Sequence, residues 1–169
     1  MTCETRVTDL PTETNLPARP AAAGPIRLPL WQETTLLAVL AGLVASGVIW
    51  LVYHHLVPAR ADMGTHPAEA WSLRLHGGLA MAVLVLVGML LASHVLPAWR
   101  RRLNRGSGGL MLGTMAVLTV TGYLLYYAGS PPLRDAVSVL HWGLGLAVPV
   151  LLALHMARGG RWMRNYFRQ

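Results

Sequence analysis

The chain reads as an all-α integral membrane protein, a four-helix bundle running up-down-up-down and built from a duplicated two-helix hairpin. Three observations predict this. Hydrophobic residues make up 54% of the sequence against 12% charged, with a mean hydropathy of +0.45, and they gather in long blocks rather than spreading as in a globular core. Four blocks, Thr35 to Val57, Trp71 to Leu96, Gly109 to Ala128 and Ala136 to Ala157, each reach the roughly 20 residues a helix needs to cross a hydrocarbon core. Finally, "ASGVIWLVYHH" in the first block is echoed by "VTGYLLYYAG" in the third, and "LHGGLAMAVL" opening the second by "LHWGLGLAVP" opening the fourth. The likeness is weak but ordered, as a duplicated hairpin requires.

The ends follow from composition. Residues 1–32 hold five prolines among small and polar neighbours, without the apolar run of a signal peptide, and read as a flexible cytoplasmic tail. Residues 33–158 form the transmembrane domain, and 159–169 a basic cytoplasmic tail. The single cysteine, Cys3, excludes an internal disulfide, a cysteine-ligated iron–sulfur cluster and c-type haem attachment.

All fourteen basic residues are arginines. Eleven lie before span one, between spans two and three, and after span four; the other side holds only Arg60 and Arg134 in its loops and Arg74 at the start of span two. That asymmetry places both termini in the cytoplasm by the positive-inside rule. It also accounts for the basic charge without a nucleic-acid partner, leaving membrane lipid as the surrounding medium. Trp31, Trp99 and Trp162 fall at the inner interface and Trp50, Trp71 and Trp142 towards the outer one, as interfacial anchors do.

A duplicated hairpin makes spans two and four parallel, with their histidines at matching depths. His76 and His94 are eighteen residues apart, five complete turns at about 100° per residue, and so share one face. His141 and His155 are fourteen apart and differ by about 40° in direction. The axial separations of roughly 27 Å and 21 Å differ by about one turn, which tilt, curvature or a kink must reconcile. Pro149 offers a kink, and Gly145, whose carbonyl it cannot bond, leaves room for its ring.

Neutral imidazole needs no counter-ion in lipid and can bond a metal through one nitrogen and a hydroxyl or carbonyl through the other. Two flat haems, each ligated from both sides, fit two parallel helices with histidines at two depths. His76 and His141 form the outer pair and His94 and His155 the inner pair. Gly77, Gly78, Gly143 and Gly145 flank the outer pair and admit a macrocycle close to the backbone. Arg74 and Arg134 are placed to neutralise outer propionates, and Arg100 and Arg158 inner ones, although ordinary loop charge accounts for these arginines too.

A lone histidine in a span is ordinarily an interhelical hydrogen-bonding group; four at paired depths, where polar groups are costly, favour ligation. His54 and His55 end span one at the wet interface, where imidazole is already satisfied, and either is the alternative outer ligand. His66 lies in a loop and receives no role. Tyr123, Tyr126 and Tyr127 suit either the edge of a quinone pocket or an aromatic belt.

Spans two to four resemble the prokaryotic di-haem membrane cytochromes b. Span four, with histidines fourteen residues apart, is similar to the cytochrome b subunits of formate dehydrogenases and nickel–iron hydrogenases; two histidines on each of two parallel helices resemble the core of respiratory cytochrome b. In the formate dehydrogenase type a first-helix histidine near the cytoplasmic side supplies an inner ligand. Span one begins here without one, and His94 takes that place. The resemblance implies two b haems, transmembrane electron transfer in a bacterial inner membrane, a redox partner subunit or cytochrome, and exchange with the quinone pool.

Three functions therefore compete: a haem-b electron carrier within a quinone-linked oxidoreductase, a secondary transporter or metal-ion permease, and a non-redox anchor for a larger complex. Against transport, no Asp, Glu or Lys lies within the four apolar blocks, so the carboxylates that ordinarily carry protons or cations are missing there. No nucleophile–base pair, phosphate loop or carboxylate dyad points to catalysis by this chain alone.

Overall fold

The computed structural model describes residues 28–57 and 66–166, with side chains through residue 160. The reading of 1–32 as a tail falls almost wholly outside these residues. The elements are α1 (Leu30–Leu56), α2 (Pro67–Leu90), a π-helical turn (Leu91–Val95), α3 (Leu96–Arg100), α4 (Arg105–Tyr127) and α5 (Pro131–Tyr166). There is no strand among the described residues. Four helical stretches, Leu30–Leu56, Pro67–Arg100, Arg105–Tyr127 and Pro131–Gly160, are long and apolar enough to span a membrane, and the protein is a multi-pass membrane protein. α5 continues to Tyr166, so the helix runs on into the segment read from composition as a tail.

Prolines start three helices where a missing N–H costs nothing. Pro29 caps α1 in extended conformation, Pro67 opens α2, and Pro131 opens α5. His66, given no role above, caps α2: its Nδ1 accepts from the Ala68 N–H at 3.1 Å, and its ring stacks on Tyr53. At the opposite end the chain reverses through Arg102 and Asn104, both at positive φ. There Arg105 donates from Nε and Nη2 to the Trp99 carbonyl at 3.0 and 2.7 Å, joining the Arg102 N–H, which donates to the same oxygen at 3.1 Å.

Helices α1 and α2 pack along each other as one hairpin and α4 and α5 as a second, with thinner contact between α1 and α5. The interior is largely polar and small. Ser46, Ser72, Ser107, Thr114, Thr121 and Gln32 are buried, whereas the buried apolar residues among those described are Leu40, Val83, Val137 and Val148. Leu, Val, Trp and Tyr side chains crowd the outside. A chain folding in water would reverse that arrangement; in lipid, outward apolar groups cost nothing and small hydroxyl residues let helices approach. The apolar centre is a single layer in which Leu40, Val83 and Val148 meet, flanked by Leu36, Val39, Met111 and Met115.

Span two is interrupted. Between Leu91 and Val95 the backbone takes a π turn, closed by the Leu96 N–H on the Leu91 carbonyl. Pro97 supplies the cause, since its ring cannot lie against the Ser93 carbonyl four residues back; Ser93 adds a hydroxyl bond to the Met89 carbonyl at 3.0 Å, a contact that bends helices. A π turn fits an extra residue into one revolution, so eighteen residues from His76 do not close five turns as a regular helix would. It also takes up part of the axial excess of span two over span four. α5 passes Pro149 as one continuous helix.

Candidate functional site: two facing histidine pairs

The four histidines come together as two pairs. The rings of His76 on α2 and His141 on α5 have centroids 6.2 Å apart and planes inclined at 72°. His94 in the π turn and His155 on α5 repeat this at 6.5 Å and 77°.

Helix α1 holds His76. The Nδ1 atom lies 3.0 Å from Ser46 Oγ and 3.0 Å from the Leu43 carbonyl oxygen, while Ser46 Oγ bonds the same carbonyl at 3.0 Å. A carbonyl can only accept, and a hydroxyl has one hydrogen. With that hydrogen on Leu43, Ser46 also accepts, so Nδ1 carries the proton and Nε2 keeps its lone pair. Ser46 is 1% exposed, the most deeply buried of the large or polar interior side chains. Its neighbour Gly47 makes the approach possible: a Cβ there would meet His76 Cε1 at 3.4 Å.

Helix α4 repeats the device for His141. Thr121 Oγ1 lies 2.8 Å from His141 Nδ1 and donates back to the Val117 carbonyl at 2.8 Å. A Cβ on Gly122 would meet His141 Cε1 at 3.4 Å. The repeat seen in the sequence thus has a physical content, a hydroxyl residue followed by glycine on one helix holding a histidine on the next. In its neutral form each outer imidazole therefore keeps its lone pair on Nε2.

The inner pair is built less completely. Ser107 Oγ lies 3.0 Å from His155 Nδ1, and Gly108 would bring a Cβ 3.7 Å from its Cε1. His94 Nδ1 is buried and has no hydrogen-bond partner among the described residues.

The flanking residues divide. Gly145 has nothing within 4 Å of where a Cβ would stand and lies one turn from His141 on the same face, leaving room for a flat group against the backbone. A Cβ on Gly77 would instead meet the Tyr126 hydroxyl at 3.6 Å. Arg74 is exposed, with its guanidinium 5.0 Å from the centroid of the Trp71 ring, an interfacial cation–π contact. His54 is taken by Glu69 at 2.7 Å and by stacking on Trp50 at 4.5 Å. With His55, it borders a cleft of about 240 Å³ at the outer ends of α1 and α5.

Sequence reasoning missed Ser46, Ser107 and Thr121 as supports. Their signal is the recurrence of Ser-Gly or Thr-Gly at 46–47, 107–108 and 121–122, two of which lie inside the repeated segments. Comparison with known protein families, with characterised proteins and with solved structures finds no match.

Each pair supplies two donors, and no cluster of three His, Cys, Asp or Glu side chains suited to a metal occurs among the described residues. A site completed by protein side chains alone, as structural zinc requires, is therefore not built at either pair. Two imidazoles on opposite sides of one metal ion, at about 2 Å per bond, hold their ring centroids roughly 6.4 Å apart. The separations of 6.2 and 6.5 Å match that arrangement.

Proposed function

We propose that the chain moves electrons across a membrane through two b-type haems, one held by His76 and His141 and the other by His94 and His155. It does so as the membrane subunit of a quinone-linked oxidoreductase, in a bacterial cytoplasmic membrane with both termini inside. The single observation that carries the proposal is the facing of imidazoles, in two pairs, at the ring spacing of two nitrogen ligands on one metal ion.

Haem bound at these positions supplies one-electron redox chemistry. The chain's own residues do the rest. Ser46 and Thr121 hold the Nδ1 protons of the outer ligands, fixing which nitrogen is free and how each ring is turned. Gly47 and Gly122 let those rings lie against neighbouring helices. Leu40, Val83 and Val148 form a dry layer between the two levels. Exposed apolar side chains keep the assembly in lipid, and interfacial Trp and Arg residues set its depth.

A reduced-minus-oxidised absorption spectrum tests the reading. Purified protein is expected to show b-type bands with two haems per chain; colourless protein sinks it and leaves the anchor or permease. Orientation has its own test. A reporter fused after Gln169 is expected to work only if it functions in the cytoplasm, and activity of a periplasmic reporter there would reverse the assignment of outer and inner ends.

A further inference from the structure

We propose that His94 is the exchangeable ligand of the inner pair, so that the inner site admits a small neutral diatomic molecule that the outer site excludes. The inference rests on both pairs being axial haem ligands.

Two independent features single out His94. The first is its second nitrogen: His76, His141 and His155 are each held through Nδ1 by Ser46, Thr121 and Ser107, but His94 Nδ1 is buried without a partner among the described residues. A partner at that atom orients the ring and raises its basicity, and loss of such a partner costs about 10–100-fold in metal affinity. The second is the backbone. His94 sits inside the π turn, whose one extra residue can be passed along the helix, swinging the side chain without melting a whole turn; such turns recur at functional sites. His155 lies on a continuous α-helix and is held by Ser107, so exchange at the inner site falls to His94.

The route in selects the ligand. Leu91, Ala92 and Ser93 are exposed on the outside of the bundle, in the hydrocarbon layer. An anion such as cyanide pays heavy desolvation to arrive that way, whereas a neutral diatomic does not. Exchange breaks one metal–imidazole bond and forms one metal–ligand bond, with no net electron transfer.

Carbon monoxide added to the dithionite-reduced holoprotein is the test. Haem content is measured first, and fewer than two haems per chain overturns the underlying reading separately. With two haems, the expected result is that carbon monoxide shifts the Soret band of half the haem. No shift, or a shift of all of it, overturns the proposal. Replacements then identify the site. His94→Ala is expected to keep both haems, with half of them high-spin in the oxidised state and combining with carbon monoxide at least tenfold faster; His155→Ala is expected to lose one haem. The reverse pattern overturns the assignment. Should His94→Ala not fold, Thr121→Val decides by removing the hydroxyl partner at Nδ1 of an outer ligand. The reactive fraction is expected to rise above half, with Thr121→Ser restoring the native value, and a fraction fixed at half in Thr121→Val rejects the missing partner as the cause.

Discussion

The outer and inner histidine pairs share a ring spacing within a few tenths of an ångström and reach it by different means. At the outer level both rings are clamped by a hydroxyl whose own hydrogen goes to a helix carbonyl, and both lie in a groove made by glycine. At the inner level one ring is clamped through Ser107, and the other stands on a π turn, its Nδ1 without a partner among the described residues. Facing donors thus come from span two and α5, while the stiffness of each donor is a property of the neighbouring hairpin partner. Stiffness is added by α1 and α4, which carry none of the four paired histidines.

The largest expected effect is loss of the better-built site. His76→Ala or His141→Ala is expected to halve the haem content measured by pyridine haemochrome, because a six-coordinate iron loses a ligand that no neighbour replaces. Full retention in the His141 variant would remove α5 from the outer site.

Filling the glycine grooves comes next. A Cβ on Gly47 or Gly122 already meets a ring at 3.4 Å, so Gly47→Leu and Gly122→Leu are expected to displace the outer imidazole and lower outer haem occupancy. Gly88→Leu, where a Cβ meets nothing within 4 Å, serves as the comparison. Equal haem content in all three would show that the grooves do not position the ligands.

Removing a clamp has a smaller effect. Ser46→Ala leaves His76 with only the Leu43 carbonyl, and weaker donation from the imidazole is expected to raise the outer midpoint potential in a redox titration while leaving the haem count unchanged. Should the potential of the inner haem move instead, the pairing of Ser46 with the outer site is wrong.

The smallest effect is expected outside the bundle. His54→Ala and His55→Ala are each expected to keep two haems with native spectra. Loss of the half-exposed contact from His54 to Glu69 costs at most about 1 kcal/mol in thermal unfolding. Loss of haem from the His55 variant with the His76 variant intact would move the outer ligand to α1.

Much of this comparison was legible in the sequence. Hydropathy marks the four spans because lipid demands uninterrupted apolar surface, and a hairpin repeat makes α2 and α5 parallel, which alone brings His76 opposite His141. The supports were less visible. A Ser or Thr in a span also serves as a packing residue, and only contact distances show that Ser46 and Thr121 reach across to imidazole. The π turn was hidden because Pro97 falls at the apparent end of an apolar block, where hydropathy carries no information about turn width; a regular 100° step was carried through it. Arg74 was read for its charge, and it is the adjacent Trp71 face that holds it.

The apolar layer of Leu40, Val83 and Val148 has a consequence for energy rather than for packing. Val148 stands midway between His141 and His155 in sequence, so metal centres at the two levels would be separated by roughly 21 Å along α5, about two-thirds of a hydrocarbon core of about 30 Å. Through so dry a slab the transmembrane voltage falls steeply. One electron passing between the levels would therefore gain or lose on the order of 1.6 kcal/mol for every 100 mV across the membrane. Charging the membrane would redistribute electrons between the two sites, making their relative reduction a gauge of the voltage itself.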